Sequence, residues 1–343
     1  MGGADSDVAP SGRLTLPVQL LLAFVAGVLY PLAFAPFHLW PLTFASAAVL
    51  FWLLSRAEGR MPLIAWVFGL GKYAVGVSWI YVSIHQYGGA SLLLAGAMVA
   101  VFVAFMALFC LPIGWFLGKL KASNQHVSKS ALAMGFAATW VLMEWMLTWF
   151  LTGFPWLFAG HAMLGTPLQG YAPVIGTFGL SLVVLTITAA AMLSADQAQT
   201  ARARIGTAGV VLVLVGLGIS LDTQVWTKPT GRYEAALVQG NIDQAIKWDA
   251  DQRLNNVRKH MQLSEDHWDT DILIWPEFAL TLYGQDAVAV TDLLNRRGES
   301  SQTNVVIGMP DVQWQDQERY QVFNSAQGFG QASGKFAKHH LVP

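Results

Sequence analysis

Seven apolar stretches precede residue 222, at about 16–34, 37–54, 62–84, 90–118, 130–151, 172–193 and 205–221. Each approaches the length needed to cross roughly 30 Å of hydrocarbon at about 1.5 Å per residue. Lipid offers the backbone no hydrogen-bond partner, so such a chain spans a bilayer as helices that satisfy their own amides. With 54% hydrophobic and only 12% charged residues among 343, a wholly cytosolic or disordered protein is excluded. The net charge of -1 averages two unlike parts: residues 1–221 hold nine Lys/Arg and five Asp/Glu, residues 222–343 eleven and sixteen. A membrane block is therefore followed by an acidic, water-soluble one.

Pro36 separates the first two stretches, which are short, so a single re-entrant hairpin is an alternative there. Charge argues for two crossings. With a cytoplasmic amino terminus, the inner segments carry Arg13, then Arg56 and Arg60, then Lys119, Lys121 and Lys129, then Arg202 and Arg204, while the outer loops near 35–36, 85–89 and 152–171 carry no Lys or Arg. That asymmetry follows the positive-inside rule, and seven crossings place the segment after Leu221 outside. The expected organisation is a disordered cytoplasmic tail at 1–15, a bundle of about seven transmembrane helices at 16–221, a linker at 222–231 and a soluble domain at 232–343. The tail lacks the basic start of a signal peptide, so the first span is expected to be a retained anchor.

Lys72 and Glu144 fall inside expected spans, where a charge is costly. They mark either a polar pathway or lipid-headgroup site, or, more plainly, groups that pair within the bundle or snorkel to an interface. So little intramembrane charge disfavours a transporter. Leu151–Phe158, with Gly153, Pro155 and Trp156, reads as a loop admitting a lipid tail or as an ordinary aromatic belt, and pattern alone favours the belt. Cys110 is the single cysteine and lies in an apolar run, which excludes an internal disulfide framework and a Cys-rich metal site.

In the soluble block, strands are expected at 233–240, 271–275, 303–308 and 321–326, with helices over 249–268 and 287–294. Alternation of the two implies an α/β layer arrangement. Glu277 follows a strand that ends at Trp275–Pro276, a common place to present a catalytic group and also a common place for a merely solvated carboxylate. The basic tail 334–343 is similarly open between site and surface. His339 and His340 lack companion ligand spacing, so no metal site is read there.

The ordered motifs Val238-Gln239-Gly240-Asn241-Ile242, Lys247-Trp248, Ile274-Trp275-Pro276-Glu277, Phe323-Asn324-Ser325 and Lys338-His339-His340-Leu341-Val342-Pro343 resemble those of bacterial apolipoprotein N-acyltransferases. So do Thr152-Gly153-Phe154-Pro155-Trp156 and Pro167-Leu168-Gln169-Gly170-Tyr171-Ala172-Pro173 in the membrane block. The resemblance implies a polytopic membrane bundle followed by an incomplete nitrilase-like α/β (α-β-β-α) domain, with a Glu-Lys-Cys triad. By motif position Glu277 is the general base and Lys338, rather than Lys335, the triad lysine. The nucleophilic cysteine has no counterpart, so the chain is expected to be a carboxy-terminally truncated and inactive copy, and Cys110 is no substitute. Trp248, Asn324, Gly153 and Trp156 are implied substrate-binding or orienting residues, although packing, turn and belt roles also fit them.

The implied reaction moves an acyl chain from a phospholipid donor, through a thioester, to the α-amino group of the diacylglyceryl-cysteine of an apolipoprotein. This is ping-pong chemistry, for which a raised Glu277 pKa in a partly dry site is expected. Lys338 would face the tetrahedral oxyanion. The partners are phospholipid, diacylated apolipoprotein and the lipid bilayer, with no cofactor, metal or nucleic acid. The expected location is a bacterial inner membrane, with the soluble domain periplasmic. The alternatives are a membrane-tethered nitrilase-like amidase and a non-catalytic lipid- or lipoprotein-binding remnant.

Overall fold

The computed structural model of the chain describes residues 14–123, 127–315 and 319–339. Most of the expected amino-terminal tail, Arg13 included, and the closing His340–Pro343 of the last motif lie outside them. The chain divides into two units, Met1–Trp226 and Thr227–Pro343.

The first unit is helical throughout. Its elements are α1 (Leu16–Leu29), α2 (Pro41–Arg56), α3 (Met61–Gly76), α4 (Trp79–Val82), α5 (Leu92–Leu108), α6 (Leu111–Ser123), α7 (Lys129–Met146), α8 (Ala172–Ala195) and α9 (Ala201–Asp222). Proline occupies the first turn of α1, α2, α3 and α8, where its missing N–H costs no intrahelical bond. Among the described residues, four segments are long and apolar enough to cross a membrane: Leu16–Ala33, Leu92–Ser123, Pro167–Ala195 and Ala201–Asp222. A fifth arises if α3 and the helix from Trp79 to Tyr87, bent by 52°, form one span, and α2 is a shorter apolar helix. Helices thus fill all seven expected stretches, and length and composition alone qualify four or five of them as spans.

Close backbone approach organises the bundle. A Cβ on Gly27 of α1 would stand 2.1 Å from the Phe68 carbonyl oxygen, and one on Gly71 of α3 would stand 2.3 Å from that of Phe24. Small residues at both contact points let the two backbones touch, as membrane helices require when packing must replace the hydrophobic effect. The Lys72 side chain is fully buried beside this seam, its Nζ 4.9, 5.2 and 5.5 Å from the rings of Tyr30, Tyr73 and Trp140. Glu144, also fully buried, accepts from the Trp140 indole at 3.0 Å and from the Ala159 N–H at 2.7 Å. Both groups thus sit inside the bundle, Lys72 caged by aromatic faces and Glu144 tied to the loop after α7.

The second unit is one mixed sheet with helices against it. Strands β1 (Ala235–Leu237), β2 (Ile272–Trp275), β3 (Asn304–Trp314), β4 (Tyr320–Gly330) and β5 (Lys335–Ala337) lie in the order β1-β2-β3-β4-β5. The first three run parallel, joined through α10 (Arg253–Leu263) and α11 (Gln285–Ser301), and the last three run antiparallel. Leu273, Leu280, Leu294, Val305 and Ile307 form a fully buried core with Trp275. β3 is longer than the expected 303–308 because its pairing with β2 stops at Ile307 while β4 follows it to Trp314. Beyond Ile307 one side of β3 is therefore an edge, which tolerates Pro310.

Candidate active site

The carboxyl end of β2 carries the site. After Trp275 the chain turns through Pro276, Glu277 and Phe278, the last with φ of +51°, and this turn lies directly over β3. A Cβ on Gly308 would come 2.4 Å from the Pro276 carbonyl oxygen and 2.6 Å from Glu277 Cα. Glycine at that position is what lets the turn settle onto the strand.

Three segments distant in sequence supply the groups around the Glu277 carboxylate. Asn324, in the middle of β4, donates its amide to Oε1. Lys338, just beyond β5, donates to the same oxygen at 3.3 Å, and its backbone N–H bonds to the Asn324 carbonyl at 2.8 Å, which fixes where the side chain starts. Lys247 reaches the Glu277 backbone carbonyl at 3.0 Å. Lys335, the other candidate lysine, is paired instead with Asp311 at 2.7 Å. Register explains the difference: Lys335 faces Gln327 inside the β4–β5 ladder, whereas Lys338 has passed its end at Ala337↔Ser325.

The electrostatics correct one expectation. The Asn324 amide, with help from the Lys338 ammonium and Lys247, holds the Glu277 carboxyl below the usual glutamate range, where a raised value had been anticipated. Nor is the site dry among the described residues: the Glu277 and Lys338 side chains are 59% and 37% exposed. Hydrogen bonds to the charged form therefore outweigh desolvation.

Trp248 stands next to this centre. It is 43% exposed and packs edge-on against Phe278 at 5.1 Å between ring centroids, so the indole is one residue removed from Glu277. Behind the turn is a small cleft of about 180 Å³, bounded by Gly240, Asn241, Lys247, His260, Glu277 and Thr281. His260, not singled out by any motif, is buried against Trp275 with ring centroids 5.1 Å apart, and its Nδ1 meets the Asn256 carbonyl at 2.8 Å. Burial pushes the imidazole below its ordinary pKa, so it is neutral at pH 7. Lys247 lay within a recognised motif but carried no role in the sequence. Only its partner, a backbone carbonyl 30 residues away, reveals one.

Gly153 and Trp156 belong to the membrane unit. Residues Leu151, Thr152 and Gly153 are all left-handed, with φ of +49°, +76° and +88°, and a Cβ on Gly153 would lie 2.3 Å from the Thr148 carbonyl oxygen. Gly153 is thus a turn residue. Trp156 does face open space: it lines an apolar cavity of about 690 Å³ with Pro31, Phe34, Phe37, Trp79 and Leu164. Its indole donates at 2.9 Å to the Gly76 carbonyl, one of the terminal carbonyls that α3 leaves unpaired where the chain bends. Cys110 is buried where α5 gives way to α6.

Comparison with known proteins follows the same division. A family model described as the apolipoprotein N-acyltransferase N-terminal domain matches residues 26–190, and one described as carbon-nitrogen hydrolase matches residues 234–343. The apolipoprotein N-acyltransferase of Coxiella burnetii is 35% identical over 334 residues, covering 94% of this chain and 66% of the relative. Those of Pseudomonas syringae pv. tomato and Vibrio cholerae are 36% and 33% identical, over 94% and 97% of this chain and 64% and 65% of theirs. The chain spans just under two thirds of the length of the curated relatives it matches.

Proposed function

We propose, from a chain that belongs to the apolipoprotein N-acyltransferase family, that the protein transfers an acyl chain from a phospholipid to the α-amino group of a diacylated lipoprotein, with Glu277 and Lys338 in the catalytic centre. The observation that carries this is the meeting of Glu277, Lys338 and Asn324, from three separate segments, on one carboxylate oxygen inside the part of the chain matched by the carbon-nitrogen hydrolase model. Cys110 is too deeply buried to serve as nucleophile. The thiol that carries the acyl group belongs to sequence outside residues 1–343.

In the first half-reaction the thiol passes its proton toward Glu277 and sulfur attacks the ester carbonyl carbon. The tetrahedral oxyanion collapses as the C–O bond breaks, and the lysophospholipid leaves with the proton. In the second, the lipoprotein amine attacks the thioester, the C–S bond breaks, an amide forms and the thiol is restored. Asn324 and Lys338 keep the carboxylate in its proton-accepting form over a wide pH range while weakening it as a base. Lys338 brings a fixed cation to the oxyanion, a contribution typically worth a few kcal/mol of barrier, about 3 kcal/mol for a single donor. Trp248, beside the turn, lines the path of an acyl chain or acceptor, and the apolar cavity at Trp156 accommodates a lipid tail. If all seven helical stretches cross, the distribution of Lys and Arg supports an amino terminus in the cytoplasm and Thr227–Pro343 in the periplasm of a bacterial inner membrane.

The test is a reconstitution of residues 1–343 together with the thiol-bearing sequence outside them, in proteoliposomes containing phospholipid labelled in its acyl chains and a diacylated lipopeptide. Amide-linked label without net release of fatty acid is expected. Label appearing as free fatty acid indicates an amidase-like enzyme using water. Saturable lipopeptide binding without turnover, unaffected by Glu277→Ala, indicates a binding protein.

A further inference from the structure

Where α2 ends and α3 begins, the 57–62 turn and the last turns of α6 enclose a cleft of about 670 Å³. Its floor is apolar, and α6 lies directly on the start of α3: a Cβ on Gly114 would meet the Met61 carbonyl oxygen at 2.2 Å. Its rim carries Arg60, Lys119 and Lys121 against one carboxylate among the described residues, Glu58.

The three cations are not equivalent. Lys121 is committed to the end of α2, donating to the carbonyls of Leu54, Ser55 and Ala57 at 3.2, 2.7 and 2.9 Å, which fixes the turn. Arg60 and Lys119 have no ion-pair partner among the described residues. Arg60 is held with φ of +52°, and Lys119 lies 5.9 Å from the ring centre of Trp115, which is 56% exposed. A neighbouring cleft of about 340 Å³ differs on this point, since its Lys129 is neutralised by Asp196.

Two cations with no ion-pair partner among the described residues, beside an apolar groove and an exposed tryptophan of the kind enriched at headgroup level, complement one molecular shape. The geometry points to a binding site for one anionic phospholipid, its phosphate between Arg60 and Lys119 and its chains along Trp115 and Gly118. The guanidinium suits a phosphate because its paired N–H groups match two oxygens at once. This site shares no residue with the proposed acyl-transfer centre and stands whether or not that proposal holds.

The experiment is native mass spectrometry of the protein in mild detergent, after delipidation and addition of phosphatidylglycerol or phosphatidylcholine with identical chains. A juxtamembrane cation favours an anionic lipid by about fivefold. Wild type should therefore retain one phosphatidylglycerol in preference to phosphatidylcholine by on the order of 25-fold. Arg60→Ala and Lys119→Ala should each lose about fivefold of that preference, while the charge-conserving pair Arg60→Lys with Lys119→Arg keeps most of it and controls for folding. Equal retention of the two lipids by wild type, or a preference that survives Arg60→Ala with Lys119→Ala, overturns the proposal. So does displacement of the lipid by millimolar inorganic phosphate alone, which would make this an anion site without lipid specificity.

Discussion

Gly308→Ala tests whether the Glu277 turn is held in place by β3. The added Cβ would stand 2.4, 2.6 and 2.9 Å from the Pro276 carbonyl oxygen, Glu277 Cα and Phe278 nitrogen, where ordinary contact begins at 3.4 Å. Either the strand or the turn must therefore retreat by about 1 Å. β3 is paired with β4 from Asn304 to Trp314, so the turn is the part that yields. Overpacking of this size costs about 1–3 kcal/mol. Two amides report it locally: Ala279 N–H bonds to the Pro276 carbonyl at 3.0 Å and Leu280 N–H to the Gly308 carbonyl at 3.3 Å. Hydrogen exchange at both should accelerate by roughly five- to 150-fold, and acyl transfer should fall by on the order of a hundredfold as Glu277 is displaced. Gly231→Ala is the control, because its nearest neighbour is a Tyr233 ring carbon at 3.7 Å. Unchanged exchange in Gly308→Ala, or equal acceleration in both variants, refutes the packing argument.

Asn324→Ala removes the largest influence lowering the Glu277 pKa. A depressed carboxyl stays ionised to lower pH, so the acidic limb of kcat/KM should move to higher pH in the variant, whereas Lys335→Ala, at the Asp311 pair, should leave that limb in place. Glu144→Ala strips the acceptor from the Ala159 N–H and the Trp140 indole, each buried loss costing about 1–3 kcal/mol. Its thermal midpoint in detergent should drop clearly, and Glu144→Gln, which keeps an acceptor oxygen, should drop less. Gly153→Ala forces a side chain into a left-handed residue against the Thr148 carbonyl, at a cost of order 1–3 kcal/mol. Limited proteolysis within 148–156 should increase.

Apolar run length was enough to place the helices, because burial in lipid selects that one property. Breaks within the runs were not legible. At the bend after Gly76, Leu157 packs where a Cβ would sit, 2.3 Å from the leucine Cδ1, and Trp156 caps the freed carbonyl, contacts from 81 and 80 residues away. In the second unit β2 showed through its hydrophobicity and the proline after it. β3 was expected to end at Gly308, and its continuation to Trp314 rests on pairing with β4 after β2 has dropped away. At the site, motif order brought forward Glu277, Lys338, Asn324 and Trp248, and the structure places all four around one turn. Sequence could not supply the sign of the Glu277 shift. That sign depends on whether hydrogen bonds from β4 and the β5 exit outweigh burial, a balance set by tertiary contacts alone.

The most direct measurement is the intact mass, after incubation with phospholipid and no acceptor, of a protein that carries residues 1–343 together with the thiol-bearing sequence outside them. A gain of one acyl chain is expected, removed by neutral hydroxylamine as a thioester should be, retained in Cys110→Ala and lost in Glu277→Ala. An adduct that resists hydroxylamine, or one that forms equally well without the Glu277 carboxylate, would contradict it.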